Sequence, residues 1–190
     1  MSKNKSYVTK ICVCALLAAL YVPLEWLASE FGVITMLDKY QIPVSCFPLV
    51  LASVMFGILW GGATALVGSF ISQLIIVSSN AGASYATIPI WMAPTIIYAI
   101  LVAVLYKVFH KSNNNILLGI EFFISSLVLS SLNIVALYLD SVIVGWPYDF
   151  IKGIFGFFVS LKVIGGLIFA IIFAIIVPPI IKKLKKVLKF

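Results

Sequence analysis

Arginine is absent from this chain, histidine occurs once, and acidic and basic residues together make up only 10% of its 190 residues. Each shortage excludes something. A net charge of +7 carried on lysines clustered at the two termini and one internal loop marks cytoplasmic flanks rather than a continuous basic face, so nucleic acid is not an expected partner. His110 is the single histidine and falls in an expected loop, which removes histidine-based zinc pairs and a Ser–His dyad inside the membrane. The six carboxylates are widely spaced, with no pair at helical i, i+3 or i+4 separation of the kind a di-metal or intramembrane protease site uses. No Gly-x-x-x-x-Gly-Lys-Ser/Thr phosphate loop occurs, so the chain carries no ATPase motor of that type. Cys12 and Cys14 sit two apart on one helix and point about 200° away from each other, which suits neither a disulfide nor a metal pair. No cofactor is implied.

What remains is apolar. Hydrophobic residues make up 63% of the chain and the mean hydropathy is +1.20, beyond the roughly 45–50% apolar content of soluble domains. Several runs reach the roughly 20 apolar residues that a helix needs to cross about 30 Å of hydrocarbon. The expected fold is an all-α integral membrane protein, a bundle of six transmembrane helices forming one domain over residues 1–190. The expected spans are Tyr7–Ala28, Ile42–Leu59, Ala63–Ser78, Ile88–Val108, Ile116–Leu139, and a sixth ending near Pro178-Pro179. Trp60-Gly61-Gly62 reads as the turn between the second and third spans. Asp140, Trp146-Pro147, Asp149 and Lys152 read as the loop before the sixth. The first span is long enough to double as an uncleaved targeting signal.

Alternating the connections between two sides places ten of the thirteen lysines on one side. The other side receives Glu30, Asp38, Lys39, Asp140, Asp149 and Lys152. The positive-inside rule then puts both termini in the cytoplasm. The lysine-rich tail from Lys182 to Phe190 is expected to rest on anionic lipid headgroups.

Polar residues fall unevenly within the spans. Glu25, Gln73, Asn133 and Lys162 all belong to outer halves, and residues of this kind usually face a cavity or a partner. Aromatics crowd the same end: Tyr85, Trp91, Tyr138, Trp146 and Tyr148. An interfacial belt accounts for any one of them, and stacking on a flat heteroaromatic ligand accounts for the excess. The candidate binding set is Gln73, Tyr85, Trp91, Asn133, Trp146 and Lys162, with the loop Ser29–Gln41 as a candidate lid. On the inner side Glu121 is expected to snorkel toward Lys107 or Lys111. Small residues recur four apart at Ala15 and Ala19, at Ala65 and Ser69, and at Gly166, Ala170 and Ala174. That spacing lets helices approach closely.

Phe47-Pro48-Leu49-Val50-Leu51-Ala52-Ser53-Val54-Met55-Phe56-Gly57-Ile58-Leu59-Trp60-Gly61-Gly62, continued by Ala65 to Leu74, resembles the second and third helices of the S components of energy-coupling factor (ECF) vitamin transporters, the folate-type branch especially. Ile90-Trp91-Met92-Ala93-Pro94 is similar to a segment of related members. Relatives often carry an arginine near the second or fourth helix, and none is present here. The resemblance implies a multi-pass subunit of a bacterial plasma membrane that captures a vitamin-like molecule outside. Its implied partners are a transmembrane T component, docked on Ala15 and Ala19, and two ATPases. Two rivals come from other classes: an intramembrane lipid-modifying enzyme using Glu25 or Glu121, and a ligand-free accessory subunit.

Overall fold

The computed structural model describes residues 3–32, 44–79, 84–109, 115–145, 168, 170–184 and 186, which are almost entirely helical. Helix α1 spans Lys3–Gly32, a short 3₁₀ turn covers Val44–Cys46, and α2 follows at Phe47–Phe56. Helix α3 spans Ile58–Ser79, a second 3₁₀ turn covers Tyr85–Thr87, and α4 and α5 span Ile88–Phe109 and Asn115–Val144. Residues 170–184 form α6. Four of these stretches are long and apolar enough to cross a membrane: Tyr7–Leu27, Ile58–Ser79, Tyr85–Phe109 and Ile116–Val144.

The expected second span is shorter than the sequence reading made it. Its described helical part, Val44–Phe56, rises roughly 20 Å against about 30 Å of hydrocarbon. The turn after it is also misplaced in that reading. Trp60-Gly61-Gly62 lies inside α3, and the chain reverses at Gly57 instead, with φ at 84°. Only glycine adopts that backbone without steric cost. The Gly57 N–H donates to the Ser53 carbonyl at 2.9 Å, and the Gly61 N–H donates to the Gly57 carbonyl at 2.9 Å, so two helices meet at one residue. Gly61 serves packing rather than turning. A Cβ there would stand 2.7 Å from the Ser53 Cα, so the two helices touch backbone to backbone.

Side-chain meetings fix the directions of the helices. Thr64 of α3 reaches Cys14 of α1, and Gly68 meets Ala18 and Tyr21 further along, so α1 and α3 run parallel. Ile58 lies with Ala103 and Lys107, and Gly62 with Ile100, so α4 runs against α3. Glu121, early in α5, is within electrostatic range of Tyr98 and Tyr106, in the later half of α4. One end of the bundle therefore collects Lys10, Gly57, Lys107 and Asn115. The opposite end collects Glu25, Val44, Ser79 and Tyr85. We call these the lysine end and the loop end.

Helix α3 packs against α1, α2 and α4, and α4 in turn against α5. Its buried stripe, Gly61, Thr64, Ala65, Gly68, Ser69 and Ser72, is made of small residues at helical spacing, which permits those close approaches. The core gathers Val50, Leu51, Tyr98, Val102, Phe122 and Phe173, with Phe122 and Phe173 edge to face at 5.8 Å. The outward faces are as apolar as the core. Leu59 is 85% exposed, Ile116 72% and Ile175 68%. Water would penalise such surfaces, and hydrocarbon does not.

Candidate functional site

At the loop half, four side chains from α1, the first 3₁₀ turn and α4 join in one hydrogen-bonded network. Tyr21, buried on α1, donates its hydroxyl to the carboxylate of Glu25, one turn further along the same face. Ser45, in the turn before α2, donates to the same carboxylate. Thr95 of α4 donates to the Tyr21 oxygen. The buried thiol of Cys46 lies within electrostatic range of Glu25. Gly68 makes room for this arrangement, since a Cβ there would stand 3.0 Å from the Tyr21 ring.

Two prolines bracket the network. Pro23 lies between Tyr21 and Glu25, and Pro94 lies between Trp91 and Thr95. A proline within a helix removes the N–H that its fourth preceding carbonyl would accept, here those of Ala19 and Ile90. Interrupted helix backbone at membrane depth is tolerated where protein or a cavity receives it. Each interruption falls within two residues of a member of the network.

The expected binding residues distribute around this network unequally. Trp91 is half-buried and one turn above Thr95 on the same face of α4, about 6 Å closer to the loop end. Gln73, also half-buried, lies five residues beyond Gly68, roughly 7.5 Å up α3. Glu25 lies about 6 Å above Tyr21, so all three stand at one level. Tyr85 is 63% exposed at the rim, in the 3₁₀ turn that Ser84 caps by accepting the Ala86 N–H at 3.3 Å. Asn133 is half-buried on α5, on the face that also buries Leu129 and Ala136. Trp146 and Lys162 lie outside the described residues, as does the part of the candidate lid beyond Gly32.

Three sequence expectations are corrected. Asp140 is not in a loop: α5 continues through Val144, and Asp140 is buried with one carboxylate oxygen lacking a hydrogen-bond partner. The composition around it, Ala136 to Val144, is apolar enough to carry the helix past a single acid. Glu121 does not snorkel. It is fully buried and neither of its oxygens has a hydrogen-bond partner, whereas Lys107 is exposed. The candidate lid loses its first residues to α1, which runs on to Gly32. Tyr21, Ser45 and Thr95 were missed altogether. The prolines at 23 and 94, inside otherwise helical runs, were the available signal.

The small-residue pairs also separate by environment. Ala65 and Ser69 are buried inside the bundle, and Ala170 and Ala174 pack toward α5, where Gly119 would place a Cβ 3.7 Å from Ala174. Ala15 and Ala19 face outward on α1, in a stripe with Ile11 and Pro23 that no described helix covers. Among the described residues no group of three or more His, Cys, Asp or Glu side chains could hold a metal ion. No family model, no curated protein and no solved structure matches this chain.

Proposed function

We propose that this chain is the substrate-capturing S component of an ECF-type importer, taking a small water-soluble, vitamin-like molecule at the loop end. The observation that carries the reading is the Tyr21–Glu25–Ser45–Thr95 network, which joins three elements of the loop half around one carboxylate. A carboxylate has about four acceptor positions, and two hydroxyls fill only part of that capacity. Glu25 is not fully buried, which leaves acceptor sites for N–H groups of a ligand. Trp91 and Gln73, at the same level, supply a ring face and an amide. Such a set suits a flat heteroaromatic molecule rich in N–H donors or carrying a positive charge.

In this reading the chain crosses a bacterial plasma membrane six times with both termini in the cytoplasm, because the lysine end meets the positive-inside rule. Asn133 hydrogen-bonds the ring edge, Tyr85 and Trp146 close the rim, and Lys162 pairs with a carboxylate or phosphate of the substrate. The chain has no phosphate loop, so a T component and two ATPases supply the work. Ala15 and Ala19 are where the T component docks, since small residues allow close helix approach and these two are turned away from the bundle.

The test is co-purification with a co-expressed T component and ATPases. Ala15→Leu and Ala19→Leu leave the fold intact and abolish the complex. Ala65→Leu, at a fully buried position against Tyr21, Leu49 and Ala99, instead destabilises the fold itself by about 1–3 kcal/mol. A complete complex formed by both outward-facing variants contradicts the docking assignment.

A further inference from the structure

The lysine half contains a second arrangement that capture at the loop end does not use. Glu121 lies six residues into α5, about 9 Å along the helix axis from its start. Its side chain is fully buried and both carboxylate oxygens lack hydrogen-bond partners. One turn on, the Ser125 hydroxyl is fully buried and equally unpartnered. Tyr98 of α4, within electrostatic range of Glu121, is fully buried with its hydroxyl unpartnered as well. Three polar side chains at 0% exposure, from two packed helices, therefore share one apolar region.

An ionised carboxylate alone in such a place costs several kcal/mol, which one bound positive charge removes. Among the described lysines none provides it, since Lys107 is exposed at the bundle end. A proton does provide it. The neutral carboxyl group no longer carries the charge that burial penalises, and the unpartnered hydroxyls of Ser125 and Tyr98, which do not hydrogen-bond to it in this arrangement, are its polar neighbours. A cavity comes near the site without being lined by it. It holds about 400 Å³ and opens at the lysine end, lined by Ser53, Gly57, Tyr106 and Lys107 among others. Tyr106 both lines this cavity and lies within electrostatic range of Glu121, and the buried Ser53 hydroxyl is unpartnered.

We propose that Glu121, Ser125 and Tyr98 form an intramembrane proton-binding site that exchanges with solvent at the lysine end through the cavity beside Ser53 and Tyr106. The titratable groups facing it are Tyr98 and Tyr106 from α4 and, within electrostatic range of Tyr98, the buried Cys46 thiol from the turn before α2, with Lys107 at the mouth. Helix α2 contributes none, and on α6 Lys182 and Lys183 are exposed. The site is independent of substrate capture: it requires only the packing of α4 on α5.

The experiment treats the purified full-length chain in detergent with dicyclohexylcarbodiimide, a hydrophobic reagent that adds to protonated carboxyl groups in apolar surroundings. Peptide mass spectrometry locates the adduct across a series from about pH 6 to about pH 9. The expected result is modification at Glu121 that falls by about tenfold or more toward the alkaline end, and none at that position in Glu121→Gln. Should Glu121→Gln fail to fold, the position of the adduct in the unaltered chain decides the matter. Two results overturn the proposal. One is a Glu121 that stays unmodified throughout the series while the denatured chain is labelled. The other is protection by sodium chloride but not by choline chloride, which makes the bound charge a metal cation.

Discussion

The two halves of this bundle each enclose a glutamate, and they differ in what they offer it. Glu25, toward the loop end, receives hydroxyl donors from Tyr21 and Ser45 and keeps part of its surface accessible. Glu121, toward the lysine end, is fully buried with neither oxygen partnered. Hydrogen bonds to a charged group are worth about 1.5–3 kcal/mol, so the first environment offsets part of what burying a carboxylate costs. The second supports only a neutralised one. Position along a helix does not separate them, since both lie within apolar runs. The difference comes from neighbours: α1 meets a turn and a helix that bring hydroxyls to Glu25, while α5 meets α4 through groups that leave Glu121 unanswered.

The contrast is broken most severely by a fixed charge in the sealed half. Glu121→Lys places an ammonium that cannot shed its cost to a partner, and is expected to lower stability by about 2.5–3.5 kcal/mol in detergent unfolding. Glu121→Gln, neutral and of the same size, is expected to stay within about 1 kcal/mol of the unaltered chain. A large loss in Glu121→Gln instead shows that the carboxylate is ionised and paired. A smaller effect sharpens the other half. Tyr21→Phe removes a donor to Glu25 and the acceptor of Thr95, for about 2 kcal/mol, and Ser45→Ala removes one donor, for about 1 kcal/mol. No loss from Tyr21→Phe would place Tyr21 outside the network.

Much of the architecture was legible because hydrocarbon imposes a length. The runs from Tyr7, Ile88 and Ile116 became helices close to their expected bounds, since nothing within them competes with the helix. The α2–α3 corner was misread because Gly57, Gly61 and Gly62 look alike in sequence. Which of them turns is decided by where Ser53 and Ile100 press against α3, a tertiary fact. Asp140 was assigned to a loop because a charge resembles a boundary, and Glu121 was sent toward the lysines because snorkelling is the cheaper option for an isolated helix. Packing against α4 overrides that option. At the loop end, Glu25, Gln73 and Trp91 were recognisable as polar or aromatic residues in the right half. Their hydroxyl partners were not, because Tyr21, Ser45 and Thr95 are ordinary residues whose roles come only from being brought together. The outward face of Ala15 and Ala19 was likewise invisible, since the same spacing recurs at buried Ala65 and Ser69.

The central claim is that the loop half holds a small polar molecule and that Glu25 is its anchor. The direct measurement is mass spectrometry of what co-elutes with the gently purified full-length chain, compared among the unaltered chain, Glu25→Ala, Asn133→Ala and Glu121→Gln. The account predicts one water-soluble, N–H-rich heteroaromatic compound on the unaltered chain and on Glu121→Gln. It predicts a loss of about tenfold or more in Glu25→Ala, the equivalent of about 1.4 kcal/mol, and a smaller loss in Asn133→Ala. An equal amount of the compound on Glu25→Ala, or only lipid on every variant, would contradict it.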